Sequence, residues 1–117
     1  MPEPAVEVLK GTLDVLILKS LSWGSAHGYA VSRAIRHVTD EALQIEEGAL
    51  YPALHRLEQR GWVRAEWGVS DNNRRARFYQ LTSRGRQELR REVSSWVRFA
   101  DAMSKVLNAT EQPTWAR

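Results

Sequence analysis

Leu9, Leu13, Leu16, Ile17 and Leu21 recur at the spacing of one helix face, so residues 9–21 predict a first helix, with Gly11 near its N-terminal end. "SWGSAHG" (22–28) reads as a turn, with Ser25 placed to cap a second helix over 29–38 whose Val31, Ile35 and Val38 face inward. "TDEALQIEEG" breaks the pattern and predicts a connection. Leu50, Leu54 and Leu57 then mark a third helix. Pro52 is tolerated only close to a helix start, where the missing N–H has no partner, which puts the start between Glu47 and Leu50. Gly61 stands where the helix needs a left-handed terminator.

Beyond Gly61 the period changes. "WVRAEW" (62–67) and "RRARFYQLT" (74–82) alternate as strands around the turn-rich "GVSDNN" (68–73), predicting a hairpin. Three helices closed by a hairpin make a winged helix-turn-helix. Residues 83–109 predict one long helix, capped by Thr82 or Ser83. Along it Leu89, Val93, Trp96, Ala100, Met103 and Leu107 alternate spacings of four and three, a heptad seam. A seam on a helix that follows a closed core calls for another chain, so these six residues are the expected homodimer interface, although some of the stripe could fold back on the first helix. The expected fold class is mainly α with a small β-hairpin. Its parts are a flexible start (1–7), a winged-helix domain (8–82), a dimerisation helix (83–109) and a flexible tail (110–117).

Charge sharpens this plan. Residues 1–54 carry four Lys/Arg against seven Asp/Glu, residues 55–91 carry ten Arg against four acids, and the rest balance. An arginine-rich, lysine-free middle suits a partner that offers phosphates. With 117 residues and 43% hydrophobic content the chain suits one folded domain, and no run approaches the length of a membrane span. There is no signal-peptide layout at the start and no cysteine, which excludes disulfides and thiolate sites and points to the cytoplasm.

Double-stranded DNA fits these features. A helix enters the major groove by its N-terminal residues, and phosphate contacts supply salt-dependent affinity. The third helix offers small residues at its tip, Gly48 and Ala49, then Tyr51 and His55 on one exposed face, flanked by Arg56. Glu46 and Glu47 suit the positive helix end, or one could accept from a cytosine amino group. Arg74, Arg75 and Arg77 follow Asn72 and Asn73 at the hairpin tip, suited to the minor groove or the backbone.

The succession "LKGTLDVLILKSLS", "HGYAVSRAI", "EEGALYPALHRLEQRGWV", "NNRRARFYQLTSRGRQEL" and "SWVRFADAMSKVL" resembles the PadR family of bacterial transcriptional regulators over roughly residues 8–108. The resemblance implies a winged helix, a C-terminal helix that forms a homodimer, and a two-fold operator. It implies that Tyr51, in "LYPAL", touches the DNA backbone, that the residues before it approach the major groove, and that Arg74, Arg75 and Arg77 match the basic family wing. The single C-terminal helix resembles the compact subgroup. Some members hold effectors between subunits; here Trp96, Phe99 and Met103 would wall a site for a small, flat aromatic molecule.

Other classes find less support. His27, His37 and His55 lie on different elements without ligand spacing, and HExxH, a phosphate loop and a nucleophile elbow are absent, so neither an enzyme nor a metal or cofactor site is expected. A dimeric protein-interaction module without DNA is the remaining rival. It predicts a dispensable wing.

Overall fold

The computed structural model describes residues 11–116. Residues 1–7, expected to be flexible, Leu9 of the expected first helix, and Arg117 of the tail lie outside them. The elements run α1 (Leu13–Leu21), β1 (Ala26–His27), α2 (Gly28–Val38), α3 (Glu47–Gln59), β2 (Val63–Val69), β3 (Arg75–Leu81) and α4 (Ser83–Leu107), followed by a short 3-10 turn (Thr114–Ala116). The four helices and small antiparallel sheet form a winged helix with a long final helix.

Three local expectations are corrected. Gly11 precedes α1 rather than lying within it, in a turn at φ +91°, a conformation that suits a residue without Cβ. Ser25 does not cap α2. That role falls to His27, whose Nδ1 accepts from the Ala30 N–H at 3.2 Å. Val38 does not face inward but is 62% exposed, because α2 ends there and Thr39 turns the chain. α3 starts at Glu47, within the range that Pro52 predicts; Pro52 is its sixth residue, so the Gly48 carbonyl has no i+4 donor. Gly48 is exposed, and water can serve that oxygen.

The core is built from one face of each short helix and one face of the sheet. Ile17 and Leu18 of α1, Val31 and Ile35 of α2, and Leu50, Ala53, Leu54 and Leu57 of α3 pack together with Ile45 from the α2–α3 connection. The sheet order is β1-β3-β2, all antiparallel, with Val63 opposite Leu81 and Ala65 opposite Tyr79. Val63, Tyr79 and Leu81 close the core from that side. Two-residue β1 covers only Phe78 and Tyr79, leaving the edge of β3 open from Arg77 toward the hairpin tip.

α4 leaves the sheet through a tight joint. Thr82 caps it, its Oγ1 accepting from the Gly85 N–H (3.0 Å) and donating to the Gly61 carbonyl (2.6 Å). The Thr82 N–H donates to the Trp62 carbonyl at 3.0 Å. Gly61 has φ +77°, as a left-handed helix terminator requires. Leu89 packs against the core of its own chain.

Candidate nucleic-acid interface

The tip of α3 is open. Glu46 occupies the cap position without a side-chain cap bond, and Glu47 stands in the first turn, where the helix dipole favours a carboxylate. Gly48 and Ala49 are exposed, and nothing lies within 4 Å of where a Gly48 Cβ would stand. Tyr51 is 47% exposed and His55 is exposed one turn on. The Tyr51 ring lies against Gly28, the buried first residue of α2, so the phenol stands where the starts of two helices meet.

Across from Tyr51 runs the open edge of β3. A cleft of about 510 Å³ separates them, bounded by Gly28, Tyr29 and Tyr51 on one side and Arg74, Arg75 and Arg77 on the other. The hairpin tip is closed by bonds from the Ser70 N–H to the Arg74 carbonyl and from the Asn73 N–H to the Ser70 carbonyl, both 2.8 Å, with Asn73 at φ +58°. Tyr79 lies deeper in the cleft. Burial raises its phenol above the ordinary value, while nearby Arg77 acts in the opposite direction. The cleft therefore has a neutral floor and positive charge along one rim, an arrangement suited to a phosphodiester.

The arginines are not equivalent. Arg77 donates to Glu58 of α3 at 2.9 Å, which ties the wing to that helix. Arg56 donates to Asp14 of α1 at 2.7 Å and does not line the cleft. Arg74 and Arg75 are exposed and, among the described residues, make no ion pair. The structure thus gathers Gly48, Ala49, Tyr51, His55, Arg74 and Arg75 as available groups and gives Arg77 and Arg56 internal partners.

Three contributors escape a reading of the sequence. His27 both caps α2 and stacks parallel to Tyr29, with ring centroids 6.4 Å apart. Gly28 supplies the seat for Tyr51. Trp67 lies beside the wing arginines. "HGY" gives no periodic signal because only pairing with distant β3 defines β1, and Trp67 falls on the inward side of the alternation with Val63 and Ala65, so its place beside the arginines shows only in the hairpin register.

The second exposed feature is α4. Val93, Trp96, Met103 and Leu107 are all exposed along its length, while Ala100 is half-buried. Trp96 and Phe99 stack at 5.8 Å between centroids and border a groove of about 980 Å³ that also meets Val15 of α1 and Glu88 and Glu92 of α4. Met103 lies outside that groove. Among the described residues no helix is long and apolar enough to cross a membrane, and no three His, Asp or Glu cluster to hold a metal.

Comparison with known proteins agrees with this layout. The model of the "Transcriptional regulator PadR-like family" matches residues 17–91. An uncharacterised protein X of Lysinibacillus sphaericus is 30% identical over 106 residues, covering 90% of this chain and 96% of that protein. A solved transcriptional regulator from Clostridium thermocellum superposes with a TM-score of 0.74 at 31% identity, covering 82% of this chain and 90% of its own. A PadR family transcriptional regulator from Eggerthella lenta gives 0.71 at 31% identity, with 86% of each chain covered.

Proposed function

Because the chain belongs to the PadR-like family of transcriptional regulators, we propose that it is a sequence-specific DNA-binding repressor that acts as a homodimer in the cytoplasm on a two-fold operator. In this reading residues 8–82 are the reading head and residues 83–109 the dimerisation helix. Gly48 and Ala49 let α3 approach the major groove, Tyr51 and His55 donate to phosphate or base edges, and the wing arginines hold flanking backbone. The observation that carries the proposal is the cleft with Tyr51 on one side and the exposed Arg74 and Arg75 on the other. A phosphodiester is a chemistry that both rims satisfy.

The exposed face of α4 supports the dimer. Val93, Trp96, Met103 and Leu107 form an apolar stripe on a helix that projects beyond the winged core, and pairing it with a second copy would remove it from water. Two heads so joined suit half-sites about one duplex turn apart, roughly 34–36 Å.

Selection of bound duplexes from a random pool, followed by titration of the selected site, tests the proposal. A palindromic consensus is expected. Arg74→Ala/Arg75→Ala should weaken binding to all sequences and lower the salt slope by about one for each phosphate no longer neutralised. Retention of full affinity by that double variant would overturn the wing assignment. Indifference of the wild type to every duplex at low salt would favour the interaction module.

A second reading, an effector-responsive regulator, rests on the stacked Trp96–Phe99 pair beside an open groove. A flat aromatic compound bound there would alter the relation of the two α4 helices and hence of the heads. Quenching of tryptophan fluorescence by planar aromatics, abolished in Trp96→Ala, is the expected sign. A bound structure with unchanged α3 separation would count against coupling.

A further inference from the structure

Trp67 lies beside the wing arginines but has no part in the DNA contacts proposed above. Trp67 stands near the outer end of β2, 61% exposed, on the sheet face it shares with Arg75 and Arg77. In the register of the hairpin it is directly opposite Arg77, with Arg75 on the neighbouring diagonal. Both guanidinium groups cover its ring, that of Arg75 at 4.5 Å from the centroid and that of Arg77 at 6.0 Å. The two arginines differ in what else they hold. Arg77 is fixed by Glu58 of α3, whereas Arg75 makes no ion pair among the described residues.

These contacts form a relay from α3 to the wing: Glu58 holds Arg77, Arg77 flanks Trp67, and Trp67 seats Arg75. We infer that Trp67 is a positioning residue, which fixes the Arg75 guanidinium relative to α3 so that this wing cation meets the duplex in register with the reading helix. The physical reason is entropic. An exposed arginine loses several rotatable bonds when it binds phosphate, and a cation–π seat takes part of that loss before DNA arrives. Apolar burial does not account for Trp67, since most of its surface stays in water. A lysine would not replace Arg75 equally, because only the planar guanidinium stacks on the indole and still presents N–H groups at its edge.

The inference rests on the DNA-binding proposal, and a double-mutant cycle separates the two. Trp67→Ala should weaken duplex binding about threefold to tenfold, the scale of one cation–π interaction, and lower the salt slope as Arg75→Ala does. Trp67→Ala/Arg75→Ala should bind no more weakly than Arg75→Ala alone, and Trp67→Phe should recover most of the loss. If the two single effects instead multiply, Trp67 touches DNA on its own account and the positioning role is wrong. Wild-type affinity in Trp67→Ala overturns it equally. A DNA-free readout completes the test: the Arg75 Nε–H resonance should carry an indole ring-current shift that disappears in Trp67→Ala. Failure of the wild type to bind any duplex would sink the functional reading, and the ring-current shift alone would then decide whether Trp67 seats Arg75.

Discussion

The ring of Tyr51 rests on the bare backbone of Gly28. A Cβ at position 28 would stand 2.8 Å from Cε1 of that ring and 3.1 Å from Cζ and Oη. Tyr51 is held from its neighbour's side as much as from its own helix, and the first residue of α2 sets where the phenol points. Gly28→Ala therefore acts on Tyr51 at a distance in sequence. The ring is half-exposed and can swing aside, and alanine is the better helix former, so the melting temperature should stay within a few degrees of wild type. Duplex affinity should fall severalfold. Thermal melts beside duplex titrations check both halves, and unchanged affinity would mean that the position of Tyr51 does not matter.

Gly85 has no such latitude. A Cβ there would come within 2.0 Å of the Trp62 carbonyl oxygen and 2.9 Å of its carbon, and backbone cannot step aside as a ring can. Gly85→Ala should cost about 1–3 kcal/mol or more by overpacking, in denaturant unfolding. Thr82→Ser, which keeps the cap and the bond to Gly61, should cost far less. Equal stability of the two variants would contradict a rigid joint between the sheet and α4.

The contrast between these glycines shows what could be read from sequence. Gly61 announced its role through position, at the end of a leucine-spaced helix and before an alternating strand. Leu50, Leu54 and Leu57 fixed the buried face of α3 because helical periodicity is local. Gly28 and Gly85 carried no local signal, since each is defined by a residue far along the chain, Tyr51 in one case and Trp62 in the other. His27 misled for the same reason. Ser25 is the commoner capping type, but β1 pairs Ala26 and His27 with β3 and carries the helix start past Ser25. The candidate site was legible as residue types on the tip of α3 and the wing. Which arginines were free was not, because Glu58 and Asp14 claim Arg77 and Arg56 through tertiary contacts.

Two positions of the same heptad stripe should respond in opposite ways. Leu89 packs on its own core, while Met103, further along the seam, is 45% exposed. Leu89→Ala should lower stability, up to the 2–5 kcal/mol scale of a core truncation. Met103→Glu should leave the reading head folded and divide the proposed dimer, halving the mass in sedimentation and sharply weakening binding to the proposed two-fold site while half-site binding persists. A Met103→Glu protein that still sediments as a dimer would move the interface off this stripe.

Glu92 makes the stability of the chain depend on pH. Burial raises its carboxyl above the ordinary 4.5, and Glu88 beside it and Asp14 of α1 push in the same direction, with Arg91 opposing. A raised acid is one that the folded chain protonates more readily than the unfolded chain does, so its ionised form costs stability above the folded value. That cost is relieved as pH falls through the folded value and is gone near 4.5. Glu92→Gln removes the group, so its melting temperature should exceed wild type at pH 7–8, and the gap should close as pH falls toward 4.5. The check is a pair of melting curves across that range. A gap that stays constant with pH would show that the gain comes from packing, and a lower melting temperature for Glu92→Gln at pH 8 would show that the ionised carboxylate has a stabilising cationic partner.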